Sequence, residues 1–165
     1  MRFLEQQLSD ATENTVIKTF HSSVPPAKRG VREHHHTACE LSLFLSGKGT
    51  YLGQDRIYTF QKGDMFLFGS NEAHCITEVE EQLDLLNIQF EPRILWEQKE
   101  NMELLQLFMA RNKKFSNKFI ACDVALADGI LGVERELRER QSGFAVQAKS
   151  LLFGCLVHIY GSMTT

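Results

Sequence analysis

The feature that most constrains this chain lies between Cys39 and Phe90, where short apolar runs alternate with turn residues. Leu41-Ser42-Leu43-Phe44-Leu45, Thr50 to Gly53, Arg56 to Phe60, Met65 to Phe68, His74 to Glu78 and Leu83 to Phe90 each have the length of a strand. Gly47-Lys48-Gly49, Gly53-Gln54-Asp55, Lys62-Gly63-Asp64 and the stretch from Gly69 to Ala73 separate them. Many short strands joined by tight turns predict a sandwich or a small barrel. Val16 to Phe20 is a further candidate strand, followed by a loop marked by Pro25-Pro26 and Gly30. Residues 1–15 are weakly patterned and read as an arm.

Pro92 ends the strand pattern. Three helices are expected after it: Ile94 to Ala110, Val124 to Arg140 and Phe144 to Tyr160. The second is amphipathic, with Leu126, Ile130, Val133 and Leu137 on one face and a charged run from Glu134 to Arg140 on another. The third is different. Phe144, Ala148, Leu151, Cys155 and Ile159 make one stripe, while Leu152, Phe153, Leu156, Val157 and Tyr160 extend the apolar surface round the helix. Such a helix must be covered on two sides, either within one subunit or by a second subunit. The expected organisation is residues 1–91 as arm and β-barrel, and residues 92–165 as a helical linker and dimerisation region, the last five residues named being the dimerisation candidates.

The strands carry a cluster of polar groups. His34, His36 and Glu40 share one face if the strand is regular, and His74 answers them downstream. Three imidazoles and a carboxylate suit Fe(II), Mn(II), Ni(II) or Zn(II), and the same groups suit the polar wall of a pocket for an organic ligand. The pocket reading is preferred, because no orienting partner for the histidines is evident. By alternation Ser42 and Phe44 extend the Glu40 face, and Ile76 extends that of His74. Cys39 and Cys75 have the opposite parity, and His35 points outward. Trp96, the sole tryptophan, is a candidate to stack on a ligand or to pack a helix on the barrel.

Other classes are excluded more simply. A net charge of −3 and a pI near 6.1 do not suit phosphate neutralisation along nucleic acid, and Lys113, Lys114 and Lys118 form only a short basic cluster. No apolar run is expected to reach the ~20 residues that span a bilayer. The N-terminal residues do not read as a secretory signal, and the four cysteines are widely spaced, so a cytoplasmic protein with reduced thiols is expected. No serine, cysteine or lysine is visibly coupled to a base, so hydrolase chemistry has no support.

The segment Gly30 to Gly47, with its His-x-His pair, Glu40 and a glycine seven residues on, resembles the first cupin motif; Gly63 to His74 resembles the second. Residues 39–78 also resemble the sensor domain of AraC-type transcription regulators. The pattern runs Glu40-Leu41 to Ser46-Gly47-Lys48-Gly49, then Lys62-Gly63-Asp64-Met65-Phe66-Leu67-Phe68 to His74. Gly69, Asn71 and Glu78 replace the proline, glycine and asparagine usual in cupins. The resemblance implies a mostly β fold: a cupin (double-stranded β-helix, or jelly-roll) barrel followed by about three α-helices. It further implies a non-enzymatic homodimer that binds a small effector in the barrel through His34, His36, Glu40, Ser42, Phe44, His74 and Ile76. DNA would be bound only through a helix-turn-helix domain outside this chain. The alternative is a free-standing metal-dependent cupin dioxygenase or isomerase, with the metal on His34, His36, Glu40 and His74.

Overall fold

The computed structural model describes residues 16–30, 33–53, 56–109, 116–119 and 123–164. The expected arm, the turn at Gln54-Asp55, Lys113, Lys114 and Cys122 lie outside them. Among the described residues six strands form one antiparallel sheet: β1 (Ile17–Val24), β2 (Cys39–Gly53), β3 (Arg56–Gln61), β4 (Met65–Phe68), β5 (His74–Phe90) and β6 (Lys118–Phe119). The helices are α1 (Gln106–Met109), α2 (Val124–Glu139) and α3 (Phe144–Thr164). The mostly β fold with C-terminal helices is as expected.

Two strands are far longer than their sequence punctuation suggests. β2 passes straight through Gly47-Lys48-Gly49, where a turn is expected, and β5 joins the two runs read as separate strands. They pair from Cys39↔Phe90 to Gly53↔His74, with register shifts between Phe44 and Tyr51. These irregularities fold both strands across two layers. In one layer the β2–β5 pair is flanked by β1 and β4; in the other, by β3 and by a segment bridged at Ala27↔Val79 and His34↔His74. The glycines bend the strand instead of ending it. Gly47 has φ +94°, and a Cβ there would lie 2.7 Å from Leu83 Cα; one on Gly49 would lie 2.1 Å from the carbonyl oxygen of Glu78.

The apolar residues divide into two clusters. Between the layers pack Val24, Phe44, Tyr51, Phe60, Phe66, Phe68, Ile76, Val79, Leu83 and Leu85. Against the outer face of the first layer, Leu41, Leu43, Leu67, Leu86 and Ile88 meet Ile94, Leu107, Leu126, Ile130, Leu152 and Leu156 from the helical region. Cys39 lies in this outer cluster, as its parity predicts.

The expected helix from Ile94 to Ala110 is largely absent. Among the described residues it is replaced by 3₁₀ segments Pro92–Leu95 and Lys99–Leu105, followed by one α-helical turn, α1. Leu104, at the end of the second 3₁₀ segment, and Leu107, in α1, are both buried. α2 forms as predicted. The Asp123 side chain accepts a hydrogen bond from Leu126 N at 3.0 Å, and Arg140 closes the helix in the left-handed region with φ 51°.

α3 corrects two expectations. By length and composition Phe144–Met163 is apolar enough to cross a membrane, with a mean hydropathy of 1.2. Its inner stripe of Ala148, Leu152, Cys155, Leu156 and Ile159 is buried, while the segment as a whole is 28% buried. Leu152 and Leu156, both dimerisation candidates, are 0% exposed within their own subunit and so are closed to any partner. Val157 is exposed, and Phe153 and Tyr160 are partly exposed; Val146 continues their face.

Candidate functional site at the barrel mouth

The four polar residues converge, though not by the regular strand alternation that their spacing suggests. β2 begins only at Cys39, and residues 35–38 form a loop before it. His34 pairs through its backbone with His74, with N–H···O distances of 3.2 and 3.1 Å. The loop then turns His36 back over Glu40, and the Asn71 N–H donates to the carbonyl of His36 at 2.8 Å. Ring centroids lie 4.6 Å apart for His34 and His74, 5.2 Å for His36 and His74, and 6.0 Å for His34 and His36. His35 is exposed, as expected.

The hydrogen bonds orient two of the three imidazoles. His36 Nδ1 lies 2.9 Å from Ala38 O and His74 Nδ1 lies 2.7 Å from Glu72 O. A carbonyl only accepts, so each Nδ1 carries a proton; each ring when neutral turns an Nε2 lone pair inward, and His36 Nε2 donates to Glu40 only when its ring is protonated. His36 Nε2 is 3.1 Å and His74 Nε2 is 3.8 Å from the Glu40 carboxylate. His74 Nε2 is buried and has no hydrogen-bond partner among the described residues. Its ring stacks on Phe68 at 4.3 Å.

The orienting partners missing from the sequence reading are therefore present, and most are backbone. The exception is Gln89, whose Nε2 donates to Glu40 Oε2 at 2.9 Å and to His36 Nε2 at 3.2 Å. Gln89 is the register partner of Glu40 on β5, a relation set by a pairing 49 residues long that no local pattern reveals. Ser42 donates to Glu40 Oε1 at 3.0 Å, so alternation placed it correctly. Glu72 is held by the Gly69 N–H at 2.6 Å and by Asn117 Nδ2 at 2.7 Å, anchoring the turn that presents His74.

Phe44 and Ile76, the remaining two ligand candidates, lie deeper in the packed interior cluster. Phe44 touches the rings of Phe60, Phe66 and Tyr51 at centroid distances of 4.3, 5.4 and 5.9 Å. A groove of about 550 Å³ opens at the mouth and is lined by Lys18, His36, Gln89, Arg93 and Trp96, among others.

The donor set fits a divalent metal. One ligand atom from each of His34, His36 and His74 lies within 4.8 Å of the others, and Glu40 stands beside them. Two lone pairs are pre-oriented, one buried and otherwise unpartnered. Metal bonds to imidazole are ~2.0–2.1 Å, so ligand atoms this close can share one ion after small side-chain adjustments.

The titration behaviour follows from the same contacts. Burial pushes the His74 imidazole down to about 4, against the opposing pull of Glu40. The hydrogen bond with Glu40 raises His36. Burial alone would raise Glu40, but the bonds from His36 and Gln89 and the charge of His74 leave it lowered. For His74 the unfolded chain binds a proton more readily than the folded one. Its contribution is complete above 6.5 and is lost as pH falls from there to about 4. Glu40 adds a loss at the acid end, below its ordinary 4.5; His36 works the other way, and its contribution is lost as pH rises through its raised value. Urea titrations in chelator between pH 7 and 4 are expected to show stability falling on acidification. The fall should be smaller by on the order of 3 kcal/mol in His74→Gln. An identical fall in both proteins would rule out His74 as the titrating group.

The comparisons with known proteins fit this description. The AraC-like ligand binding domain family matches residues 19–156. The chain belongs to that family. The HTH-type transcriptional activator RhaR of Escherichia coli O139:H28 is 28% identical over 125 residues, 76% of this chain and 44% of the relative. RhaR of Shigella flexneri shows the same identity and coverage. The chain thus spans less than half the length of these curated relatives. Among solved structures, a cupin protein of Bacteroides fragilis is similar over 47% of this chain and 68% of its own, with 25% identity and a TM-score of 0.43. Bacillus subtilis oxalate decarboxylase is similar over 53% and 23%, with 20% identity and a TM-score of 0.42.

Proposed function

We propose that this chain is the ligand-sensing and dimerisation domain of a cytoplasmic AraC-type transcription regulator, acting on an attached helix-turn-helix domain. The observation that carries the sensing role is the pre-oriented cluster at the barrel mouth. His34, His36, His74, Glu40 and Gln89 present converging polar groups beside an open groove, with one buried imidazole nitrogen unpartnered. His34, His36 and His74 would hold a divalent metal, with Glu40 at its side, and the metal would supply a Lewis-acid docking point for an oxygen of the effector. Gln89 keeps Glu40 and His36 in register, while Glu72 and Asn117 fix the turn that carries His74. Effector binding alters the domain only as far as it favours one state over another. Calorimetric titration with sugars and with small aromatic and acidic metabolites tests this reading. Failure of every candidate to bind a folded dimer would leave the domain a purely structural role.

The dimerisation surface is the outer face of α3, formed by Val146, Phe153, Val157 and Tyr160. Val157→Asp is expected to convert dimer to monomer in sedimentation equilibrium, with a change in unfolding free energy within about 0.5 kcal/mol, because the side chain is 57% exposed. Retention of the dimer would place the interface elsewhere.

The three-histidine set also supports a second reading, a metal-dependent cupin enzyme such as a dioxygenase or isomerase. Elemental analysis of protein purified without a metal-affinity step tests the metal that both readings place on these histidines, and turnover by the metal-loaded protein, as oxygen uptake or isomerisation, separates them. Less than about a tenth of an equivalent of metal counts against the enzyme, since several protein ligands retain an ion.

A further inference from the structure

Within the sensing role proposed above, on which this inference rests, the structure also bears on where the effector sits and what it is. The barrel interior is filled: Phe44, Phe60, Phe66 and Phe68 are each no more than 1% exposed. A small molecule has no room there without unpacking the aromatic cluster. The groove at the mouth, of about 550 Å³, falls in the ~300–1,000 Å³ range of small-ligand sites.

Its chemistry is uneven in an informative way. At one wall, Glu91 pairs with Arg93, Arg93 Nη1 lies 3.6 Å from Glu97, and Glu97 accepts from Lys149 Nζ at 2.8 Å. Two carboxylates and two cations there balance. The Glu40 carboxylate is enclosed by His36, Ser42 and Gln89. Lys18, on the β1 position opposite Gln89, is exposed and has no carboxylate partner among the described residues. Among the residues lining the groove, Lys18 is therefore the cation left without a carboxylate partner. Trp96 supplies the flat apolar surface. The residue is 54% exposed, although it follows directly on the buried pair Ile94 and Leu95.

We infer that the groove binds a small organic anion, a carboxylate attached to a planar apolar ring, with the carboxylate on Lys18 and the ring against Trp96. His36 and Gln89 close its inner end and join it to the histidine cluster.

Because Trp96 is the only tryptophan, its fluorescence reports this groove alone. The test titrates the whole domain in chelator with benzoate, uncharged benzamide and benzylammonium. Benzoate is expected to change the Trp96 emission saturably and to bind about fivefold more tightly than benzamide, with benzylammonium weakest. Lys18→Gln should abolish the advantage of benzoate while leaving the thermal unfolding midpoint unchanged, since Lys18 is exposed. Equal affinity for benzoate and benzamide, or indifference to Lys18→Gln, would overturn the assignment. Histidine ring NMR signals followed in the same titration separate this inference from the sensing role. Saturable shifts at His74 with no change at Trp96 would refute the groove and leave ligand sensing intact. A benzoate titration silent at both would refute the groove as an anion site, while the wider effector screen judges the sensing role by itself.

Discussion

Titration of the domain with Ni(II) or Zn(II) is expected to give one equivalent of binding, and His74→Gln is expected to weaken it by at least about 100-fold. The reason is geometric. His74 is 1% exposed, its Nδ1–H is committed to Glu72 O, and its Nε2 has no hydrogen-bond partner. Losing a ligand should cost more than the ~10- to 100-fold typical of losing a residue that merely orients one. The pH dependence has a definite sign. Metal and proton compete for the same lone pairs, so binding weakens on acidification. His74 stays unprotonated down to about 4, whereas Glu40 raises His36. The acid limb should therefore follow His36 and shift to lower pH in Glu40→Gln. Calorimetry across pH 5 to 8 reads both effects. Unchanged affinity in His74→Gln would show that the metal, if bound, sits elsewhere.

Phe44→Ala is expected to destabilise the domain by about 3–5 kcal/mol in urea unfolding, the range for removing a buried aromatic ring. Phe44 is 0% exposed and lies within 6 Å, centroid to centroid, of Phe60, Phe66 and Tyr51. The cavity left behind adds to the lost transfer energy because a rigid barrel cannot collapse around it. The experiment also distinguishes two roles for this residue. A ring that lines a ligand pocket contacts solvent on one side and would cost far less; a loss below about 1 kcal/mol would mean that the interior has room for the effector. Phe44→Leu should recover much of the stability.

The sites of success and failure in the sequence reading have a common cause. Ser42 follows Glu40 by two residues on a regular stretch of strand, so alternation placed it on the same face. Phe44 obeys the same parity and reaches the same interior, yet periodicity cannot distinguish a mouth from a packed floor. Leu152 and Leu156 are apolar residues on an apolar helix, and nothing in their spacing shows that α2 and the sheet, and no second subunit, cover them. The expected turn at Gly47-Lys48-Gly49 failed for a reason visible only in three dimensions. Those glycines are required by the close approach of β5, and such an approach leaves no mark on neighbouring residues.

By itself the sequence determined the mostly β class, the amphipathic α2 and the residue types of the site, because side-chain alternation and helical periodicity are local properties of the chain. It also placed three imidazoles and a carboxylate within reach of one another through motif spacing. Tertiary structure alone decided that Gln89 bridges Glu40 and His36, that backbone carbonyls set two histidine tautomers, and that a groove opens at the mouth. The Gln89 bridge depends on a strand pairing 49 residues long, and the position of the groove on volume already filled by aromatic rings; the carbonyl contacts span only two residues, but they need the loop conformations that the folded barrel imposes.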